Sequence, residues 1–299
     1  MNKSNGLDLY DKFGKYFEYY GGGLPEDGRI ILCEAAEKIC ADEKLSAEAA
    51  ATKKRLADRT YDFKPDAEFK DKPAHFALLV YTLAIEDMEK LYKEKNIPHD
   101  ILIDTIRDIY IWLKYNRLRS GEWGNFECGW LTNHIRGRVI RLGRLQFEQS
   151  KVGKNTELIR NGQTLLKEGD PFLNVHIPED GKLTEASCLD SFEKAGKFYR
   201  EVMNYDFKAF GCFTWLFDPA FEKLLPGDSN ILKFKKLFNM QLENYGGESD
   251  EALRRVFENI TRENIRDAQT DTYFRRTLKE YVQSGGKLRS GGGYRIINK

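Results

Sequence analysis

Three polar side chains alternate with apolar ones in the segment 141–148 (RLGRLQFE): Arg144, Gln146 and Glu148. This alternation predicts a strand with one polar face, on which these residues could line a pocket for a polar molecule. A carboxylate held there could accept a proton as a general base, which makes Glu148 a candidate catalytic residue. The alternative is a solvated sheet edge with an Arg–Glu pair, and the periodicity leaves both interpretations open.

A second candidate base is His176, in the segment 172–177 (FLNVHI). Alternation places it on the same predicted strand face as Asn174. An imidazole can take up a proton near neutral pH, so His176 could also act as a general base. A structural histidine bonded to a neighbouring backbone group fits the same pattern, and this alternative stays open.

A candidate nucleophile, Cys188, lies near the start of a helix that is predicted to begin at Ser187. The positive end of the helix dipole favours a thiolate at such a position. Cys188 could therefore attack a substrate with His176 as its base, in a cysteine-dependent hydrolysis. A small, buried side chain at the helix start is the simpler interpretation, and we favour it.

The composition excludes several classes of protein. The 299 residues include 48 Lys and Arg against 47 Asp and Glu, so no net field draws the chain to nucleic acid or to an anionic membrane. The longest apolar run, Phe76–Ile85, has ten residues, whereas roughly 20 are needed to cross a bilayer. Because the first residues also lack the apolar core of a secretory signal, we expect a cytoplasmic protein.

The cysteines and histidines predict neither a metal site nor a disulfide framework. The five cysteines form no C-x-x-C pair, and the four histidines are widely scattered. An odd number of cysteines in a chain without a secretory signal indicates reduced thiols.

The residues before 138 have a helical pattern. Apolar residues recur at intervals of three and four, and Pro73 and Pro98 each open a long stripe of them. These stripes are too wide for surface helices and predict a packed bundle. The predicted helices are Leu7–Tyr20, Arg29–Ala41, Ser46–Leu56 and the two that follow Pro73 and Pro98.

From residue 138 onward, the pattern changes to strands and helices. Asn161-Gly162 between two short runs predicts a β-hairpin. The other predicted elements are the strands Arg138–Glu148, Phe172–Ile177, Phe210–Phe217 and Gly293–Ile297, and the helices Ser187–Met203 and Thr272–Gln283. The sequence therefore predicts a helical domain over residues 1–137, followed over residues 138–299 by a sheet domain of the α+β or α/β class.

Several segments resemble a bacterial family of acyltransferase-domain proteins. They are RLGRLQFE (141–148), LNVHIPEDG (173–181), CLDSFEKAGKFY (188–199), FTWLFDPAFEKLLPGDSNIL (213–232) and EYVQSGGKLRSGGGYRI (280–296). Members of this family join a helical N-acyltransferase N-terminal domain to a GNAT-like C-terminal domain. The resemblance covers nearly the whole chain. It implies an α+β fold in which the helical domain packs on a GNAT-like mixed β-sheet domain. It also implies transfer of an acyl group from acyl-CoA to an amine on a small molecule or a peptide.

The resemblance also implies where acyl-CoA binds. In GNAT enzymes a central strand pairs with the pantetheine arm, and the following turn and helix start hold the pyrophosphate, because helix N-termini favour anions. By order along the chain, the strand is Phe172–Ile177 and the helix is Ser187–Met203, which places the pyrophosphate near Gly181–Cys188. Trp215 could form a wall of the acyl channel or be a core aromatic residue. The implied donor-binding residues are Asn174, Val175, Ile177, Gly181, Ser187, Cys188 and Trp215.

The predicted pyrophosphate turn departs from the GNAT pattern. GNAT enzymes usually carry Arg/Gln-x-x-Gly-x-Gly/Ala there, whereas this chain has PEDGKLTEAS (178–187), in which Gly181 is the one glycine. The acidic side chains of this turn would repel phosphate. The alternative to an acyltransferase is therefore a non-catalytic GNAT-fold ligand-binding protein that has lost the use of the donor.

An N-acyltransferase needs a base, because only a neutral amine attacks a thioester. Glu148 and His176 are the implied bases if their two strands share a sheet face. Glu148 is slightly preferred, since its charge also attracts an ammonium group. Tyr281 and Tyr294 are candidate acids for the departing thiolate, and no spacing selects either.

The acceptor pocket is predicted at the junction of the two domains, because pockets favour domain interfaces. Trp123, Trp130 and His134 come shortly before the first strand and are the candidates from the helical domain. Trp130 and His134 are predicted to line this pocket together with Arg144 and Gln146. The alternative is that the three residues of the helical domain only hold the domains together.

Overall fold

The computed structural model describes residues 25–124, 127–242, 246–258 and 260–297. The chain divides into two compact units, Met1–Leu142 and Gly143–Lys299, whereas the sequence pattern placed the boundary after residue 137. The predicted helix Leu7–Tyr20 lies outside the described residues. The α+β fold class is confirmed, since the first unit is helical and the second contains a mixed β-sheet.

The described part of the first unit consists of helices and one short strand. These elements are α1 Glu26–Ala41, α2 Glu43–Ala57, α3 Pro65–Glu68, α4 Phe76–Glu94, α5 His99–Ser120, α6 Cys128–Ile135 and β1 Val139–Leu142. Asp42 caps α2 by accepting the N–H groups of Lys44 and Leu45, as short polar side chains do at helix starts. The hydroxyl of Thr105 in α5 accepts the N–H of Arg141 at 3.0 Å, which fixes β1 to that helix.

The second unit is built on a mixed sheet. Its elements are β2 Leu145–Lys151, β3 Glu157–Arg160, β4 Gln163–Lys167, β5 Pro171–His176, α7 Glu185–Glu201, β6 Ala209–Thr214, α8 Phe221–Leu224, α9 Asn230–Lys236, β7 Met240–Leu242, α10 Glu251–Phe257, α11 Tyr273–Gln283 and β8 Gly291–Ile296. The strand order is β2-β5-β6-β8-β7. β5 and β6 are parallel, and the other neighbours in this order are antiparallel.

Helix α7 packs on one face of this sheet through aromatic side chains. The ring of Phe192 lies 6.3 Å from Phe147 of β2 and 4.7 Å from Phe210 of β6, measured between centroids. The hydroxyl of Tyr199 donates to the carbonyl of Phe147 at 2.7 Å. These contacts hold β2 and β6 against α7 on this face of the sheet.

The predicted hairpin is confirmed. β3 and β4 pair antiparallel, and Asn161 and Gly162 have φ angles of 53° and 75°. Two successive residues with positive φ are what a tight two-residue hairpin turn requires.

The single strand predicted over Arg138–Glu148 is wrong. It is two strands, β1 and β2, because the chain turns at Gly143, which has a φ of 76°. A Cβ added at Gly143 would lie 2.9 Å from the hydroxyl oxygen of Ser191 in α7. The close approach of α7 therefore requires a glycine where the alternation predicted a continuous strand.

Two other predicted boundaries are also wrong. Helix α7 begins at Glu185 rather than Ser187, because the side chain of Thr184 is its N-cap and accepts the N–H of Ser187. The strand predicted to reach Phe217 ends at Thr214, and a 3₁₀ turn follows over Trp215–Phe217.

Within the described residues, no helix is long and apolar enough to span a lipid bilayer.

Candidate active site

The polar faces of β2 and β5 converge. In their antiparallel ladder, Gln146 lies opposite His176 and Glu148 lies opposite Asn174. Residues directly opposite each other in such a ladder point to the same side of the sheet. Glu148 and His176, the two predicted bases, therefore share one face of the sheet, as the prediction required. This is the face opposite α7.

Glu148 and His176 are in direct contact. His176 Nε2 lies 3.2 Å from Glu148 Oε2 and 3.2 Å from Asn174 Nδ2. A charged acceptor forms the stronger hydrogen bond, so the arrangement in which Nε2–H donates to the carboxylate is favoured. The side chains of His176 and Glu148 are 24% and 31% exposed, which leaves both accessible to a bound molecule.

Glu148, Asn174 and His176 form a polar cluster, and the pairing between β5 and β6 stops beside it. The parallel ladder has three pairs and ends at Asn174 and Gly211, while β5 continues to His176 and β6 continues to Thr214. On their outer sides the strands remain paired, β5 with β2 and β6 with β8. His176 thus lies at the end of β5, past the last described pair of the β5–β6 ladder.

Tyr294 lies in the same cross-strand row as the polar cluster. Gly211 is opposite Asn174 on one side and opposite Tyr294 of β8 on the other. A Cβ at Gly211 would lie 2.6 Å from the ring of Phe172 and 2.9 Å from that of Tyr294, so the glycine allows the two rings to meet. Of the two tyrosines considered as acids, the register places Tyr294 on the face of the candidate bases. The hydroxyl of Tyr281, in α11, donates to the carbonyl of Lys287.

The other strand residues predicted to bind the donor differ in what they expose. The side chain of Val175 is buried on the α7 side of the sheet, whereas Asn174 and Ile177 are half-buried. Val175 can therefore offer a ligand only its main chain.

Arg144 lies at the turn that follows β5. It precedes β2, and its guanidinium donates to the carbonyls of Gly181 and Lys182 at 2.8 and 3.1 Å. Ser187 lies in the first turn of α7, where its N–H donates to Thr184 Oγ1 at 3.3 Å. The segment predicted as the phosphate site is therefore in contact with Arg144, which the strand alternation assigned to the acceptor pocket.

Cys188 is unsuited to nucleophilic catalysis. Its side chain is fully buried, and this burial raises the pKa of the thiol to about 11, although the nearby Arg144 lowers it. A buried, protonated thiol is a poor nucleophile. The structure therefore opposes the hydrolase interpretation, and burial outweighs the helix dipole that suggested it.

Trp215 lies in the 3₁₀ turn after β6. It is partly buried against a cluster of apolar side chains that includes Leu253 and Leu278. Its ring meets Phe221 edge-on, with centroids 5.9 Å apart. These contacts match the core interpretation of Trp215.

Trp130 and His134 belong to a buried polar network of the first unit. Asp108 Oδ2 accepts the indole N–H of Trp130 at 2.6 Å and that of Trp112 at 3.0 Å. His134 Nε2 lies 3.4 Å from the same oxygen, and the side chains of His134 and Asp108 are 0% and 2% exposed. The network joins α5 to α6, so Trp130 and His134 both have a structural role. Their place in an acceptor pocket stays a prediction.

Sequence reasoning missed Ser191. Its hydroxyl accepts the main-chain N–H groups of Arg144 and Leu145 at 2.8 and 3.3 Å and donates to the carbonyl of Ser187 at 2.9 Å. The signal in the sequence that could have indicated its role was a serine on the buried face of an amphipathic helix.

Among the described ranges, no group of three or more His, Cys, Asp or Glu side chains is arranged to hold a metal ion.

Two family descriptions match this chain. An N-acyltransferase N-terminal domain matches residues 18–137, and a GNAT-like C-terminal domain matches residues 139–295. No curated protein matches the sequence.

Solved structures of acyltransferases share the fold. An acyltransferase in complex with decanoyl-CoA is 19% identical, with a TM-score of 0.71 over 100% of this chain and 89% of that one. One in complex with decanoyl-CoA and teicoplanin is 19% identical, with a TM-score of 0.70 and the same coverage. One with CoA and 10C-teicoplanin is 20% identical, with a TM-score of 0.68 over 84% of this chain and 76% of that one.

Proposed function

This chain belongs to the family that joins an N-acyltransferase N-terminal domain to a GNAT-like C-terminal domain, and on that premise we propose that it transfers an acyl group from acyl-CoA to an amine. The observation that carries this proposal is the contact between Glu148 and His176 at the end of β5, beside the point where β5 and β6 stop pairing. Glu148 and His176 can accept a proton, and they lie next to the gap between β5 and β6 in which acyl-CoA can bind.

The pantetheine arm of the donor lies along the end of β5 in this proposal. Its amide groups can pair with strand main chain in the way that an added strand does. The end of the β5–β6 ladder at Asn174 and Gly211 supports this placement. The decanoyl-CoA bound to solved relatives of the same fold supports a CoA thioester as the donor.

The reaction forms a C–N bond and breaks a C–S bond. The amine nitrogen attacks the thioester carbonyl carbon, and its proton passes to the Glu148–His176 pair directly or through one water. The CoA thiolate then departs and takes up a proton.

The acceptor in this proposal is an amine on a small molecule or a peptide. Gln146 lies opposite His176 in the β2–β5 ladder and is buried, so we place it at the floor of the acceptor site. Two relatives of the same fold bind teicoplanin or 10C-teicoplanin, which supports an acceptor larger than a simple amine. We place the reaction in the bacterial cytoplasm, because acyl-CoA is an intracellular donor.

Mass spectrometry tests this function directly. The full-length protein is incubated with acyl-CoAs of several chain lengths and a panel of amines, and one CoA thiol should be released for each amide formed. CoA release that is independent of the amine would indicate hydrolysis instead. A protein that neither forms an amide nor binds any acyl-CoA would favour the non-catalytic alternative.

A further inference from the structure

The turn between β5 and α7 is held by a side chain from outside the turn. Arg144 Nη2 donates to the carbonyl of Gly181 at 2.8 Å, and its Nε donates to the carbonyl of Lys182 at 3.1 Å. The main-chain N–H of Arg144 donates to Ser191 Oγ, which in turn donates to the carbonyl of Ser187. Arg144 is therefore fixed to the first turns of α7 while its guanidinium binds two successive carbonyls.

These two hydrogen bonds fix the orientation of two peptide planes. In a trans peptide, the C=O of one residue and the N–H of the next point in opposite directions, and no peptide of the described residues is cis. Because the oxygens of Gly181 and Lys182 point at Arg144, the N–H groups of Lys182 and Leu183 point away from it. Successive N–H groups that share a direction form the anion-binding concavities of many phosphate sites.

Charges around the turn reduce the repulsion expected from its acidic sequence. The guanidinium of Arg144 is always protonated. Burial raises the pKa of Cys188, in the first turn of α7, and the charge of Arg144 opposes that rise. Glu179 has an ion-pair partner in Arg255, whose Nη1 lies 3.5 Å from Glu179 Oε2. Arg144 and Arg255 thus bring positive charge from outside the turn close to its acidic residues.

We propose that Arg144 is a positioning residue for the donor. By holding the carbonyls of Gly181 and Lys182, it turns the N–H groups that follow them toward the phosphate groups of acyl-CoA, and so replaces the glycines that this turn lacks. This inference rests on the proposed function, since it requires a CoA thioester as donor. It predicts that Arg144 acts on the phosphate end of the donor and not on the thioester end.

Calorimetric titration of the full-length protein with two donors distinguishes an effect on the phosphate end of the donor from an effect on its thioester end. Octanoyl-pantetheine has the same thioester as octanoyl-CoA but no phosphate groups. Arg144→Gln should raise the Kd of octanoyl-CoA by about tenfold or more and leave that of octanoyl-pantetheine within about twofold. Arg144→Lys keeps the charge but lacks a planar fork for two carbonyls, so it should recover only part of the affinity.

Arg160→Gln is the matched control. Arg160 also donates to a main-chain carbonyl, that of Asn239 at 2.6 Å, but it lies in the β3–β4 hairpin. Its loss should leave the affinity for both donors unchanged.

An equal loss for both donors, or an unchanged octanoyl-CoA affinity in Arg144→Gln, would overturn the role of Arg144. If Arg144→Gln fails to fold, Arg144→Lys decides the question, because its preference for octanoyl-CoA over octanoyl-pantetheine must be smaller than in the wild type. A wild-type protein that binds neither donor would contradict the proposed function instead.

Discussion

His176 and Glu148 are 28 residues apart in the chain and meet at 3.2 Å across the β2–β5 ladder. Each lies on the polar face of its own strand, and the antiparallel register puts both on one side of the sheet. A carboxylate beside an imidazole stabilises the imidazolium that forms when the ring accepts a proton. The two side chains therefore act, in our account, as one proton-accepting unit.

Glu148→Gln keeps the shape of the side chain and removes its charge. Acyl transfer should fall by roughly 10²-fold, the low end of the loss expected for a general base. Steady-state rates measured across pH provide the test. Glu193→Gln, which changes an exposed carboxylate of α7, should keep the wild-type rate. An unchanged pH–rate profile in Glu148→Gln would remove Glu148 from the mechanism.

His176→Gln should cost less than Glu148→Gln, because the carboxylate that attracts the ammonium group remains. The double variant should be about as slow as Glu148→Gln alone, since residues that act as a unit have non-additive effects. The comparison needs only the four kcat/KM values of a double-mutant cycle. Losses that multiply would mean that the two side chains act independently.

Cys188 and Cys212 should be unreactive in the folded protein. Burial raises the pKa of Cys188 from 9.0 to about 11 and raises that of Cys212 further. The unfolded chain therefore releases these thiol protons at lower pH than the folded one, and stability should fall as the pH rises from 9 toward 11.

Labelling with iodoacetamide and mass spectrometry check this directly. At pH 8, both cysteines should react only after denaturant is added, and Cys188→Ala should retain acyl transfer. Rapid labelling of native Cys188, or loss of thioester cleavage in Cys188→Ala, would restore the nucleophile hypothesis.

Asp108→Asn should destabilise the helical unit. It replaces a carboxylate oxygen that accepts two indole N–H groups and lies 3.4 Å from His134. The free energy of unfolding should fall by about 2 kcal/mol or more, because Asp108 and His134 are buried. Asp100→Asn, at an exposed position of the same helix, should cost less than about 1 kcal/mol. Urea denaturation followed by tryptophan fluorescence measures both, and equal effects would argue against the network.

Local signals in the sequence predicted the elements that depend on a few neighbouring residues. Asn161-Gly162 gave the hairpin, because its two positive φ angles are a property of the turn itself. The cap of α7 was misplaced because Thr184 and Ser187 are both suitable caps. An isolated glycine within a strand pattern is a local signal for the break at Gly143, but its close approach to Ser191, 48 residues further along the chain, has no local signal.

The candidate site was predictable only in part, for the same reason. Alternation placed Glu148 and His176 each on a polar strand face, but only the register of β2 with β5 brings them together. The position of Arg144 at the Gly181 turn, and that of Trp130 and His134 around Asp108, depend on contacts between elements that sequence patterns do not specify.

The melting temperature of the full-length protein in the presence of acyl-CoA tests the central claim most directly. A ligand that binds only the native state at 100 times its Kd stabilises it by about 2.7 kcal/mol. We predict that at least one member of a series from acetyl-CoA to decanoyl-CoA raises the melting temperature, and that this rise is smaller with the matching acyl-pantetheine. No shift with any acyl-CoA at saturating concentration would contradict the assignment of this protein as an acyl-CoA-dependent enzyme.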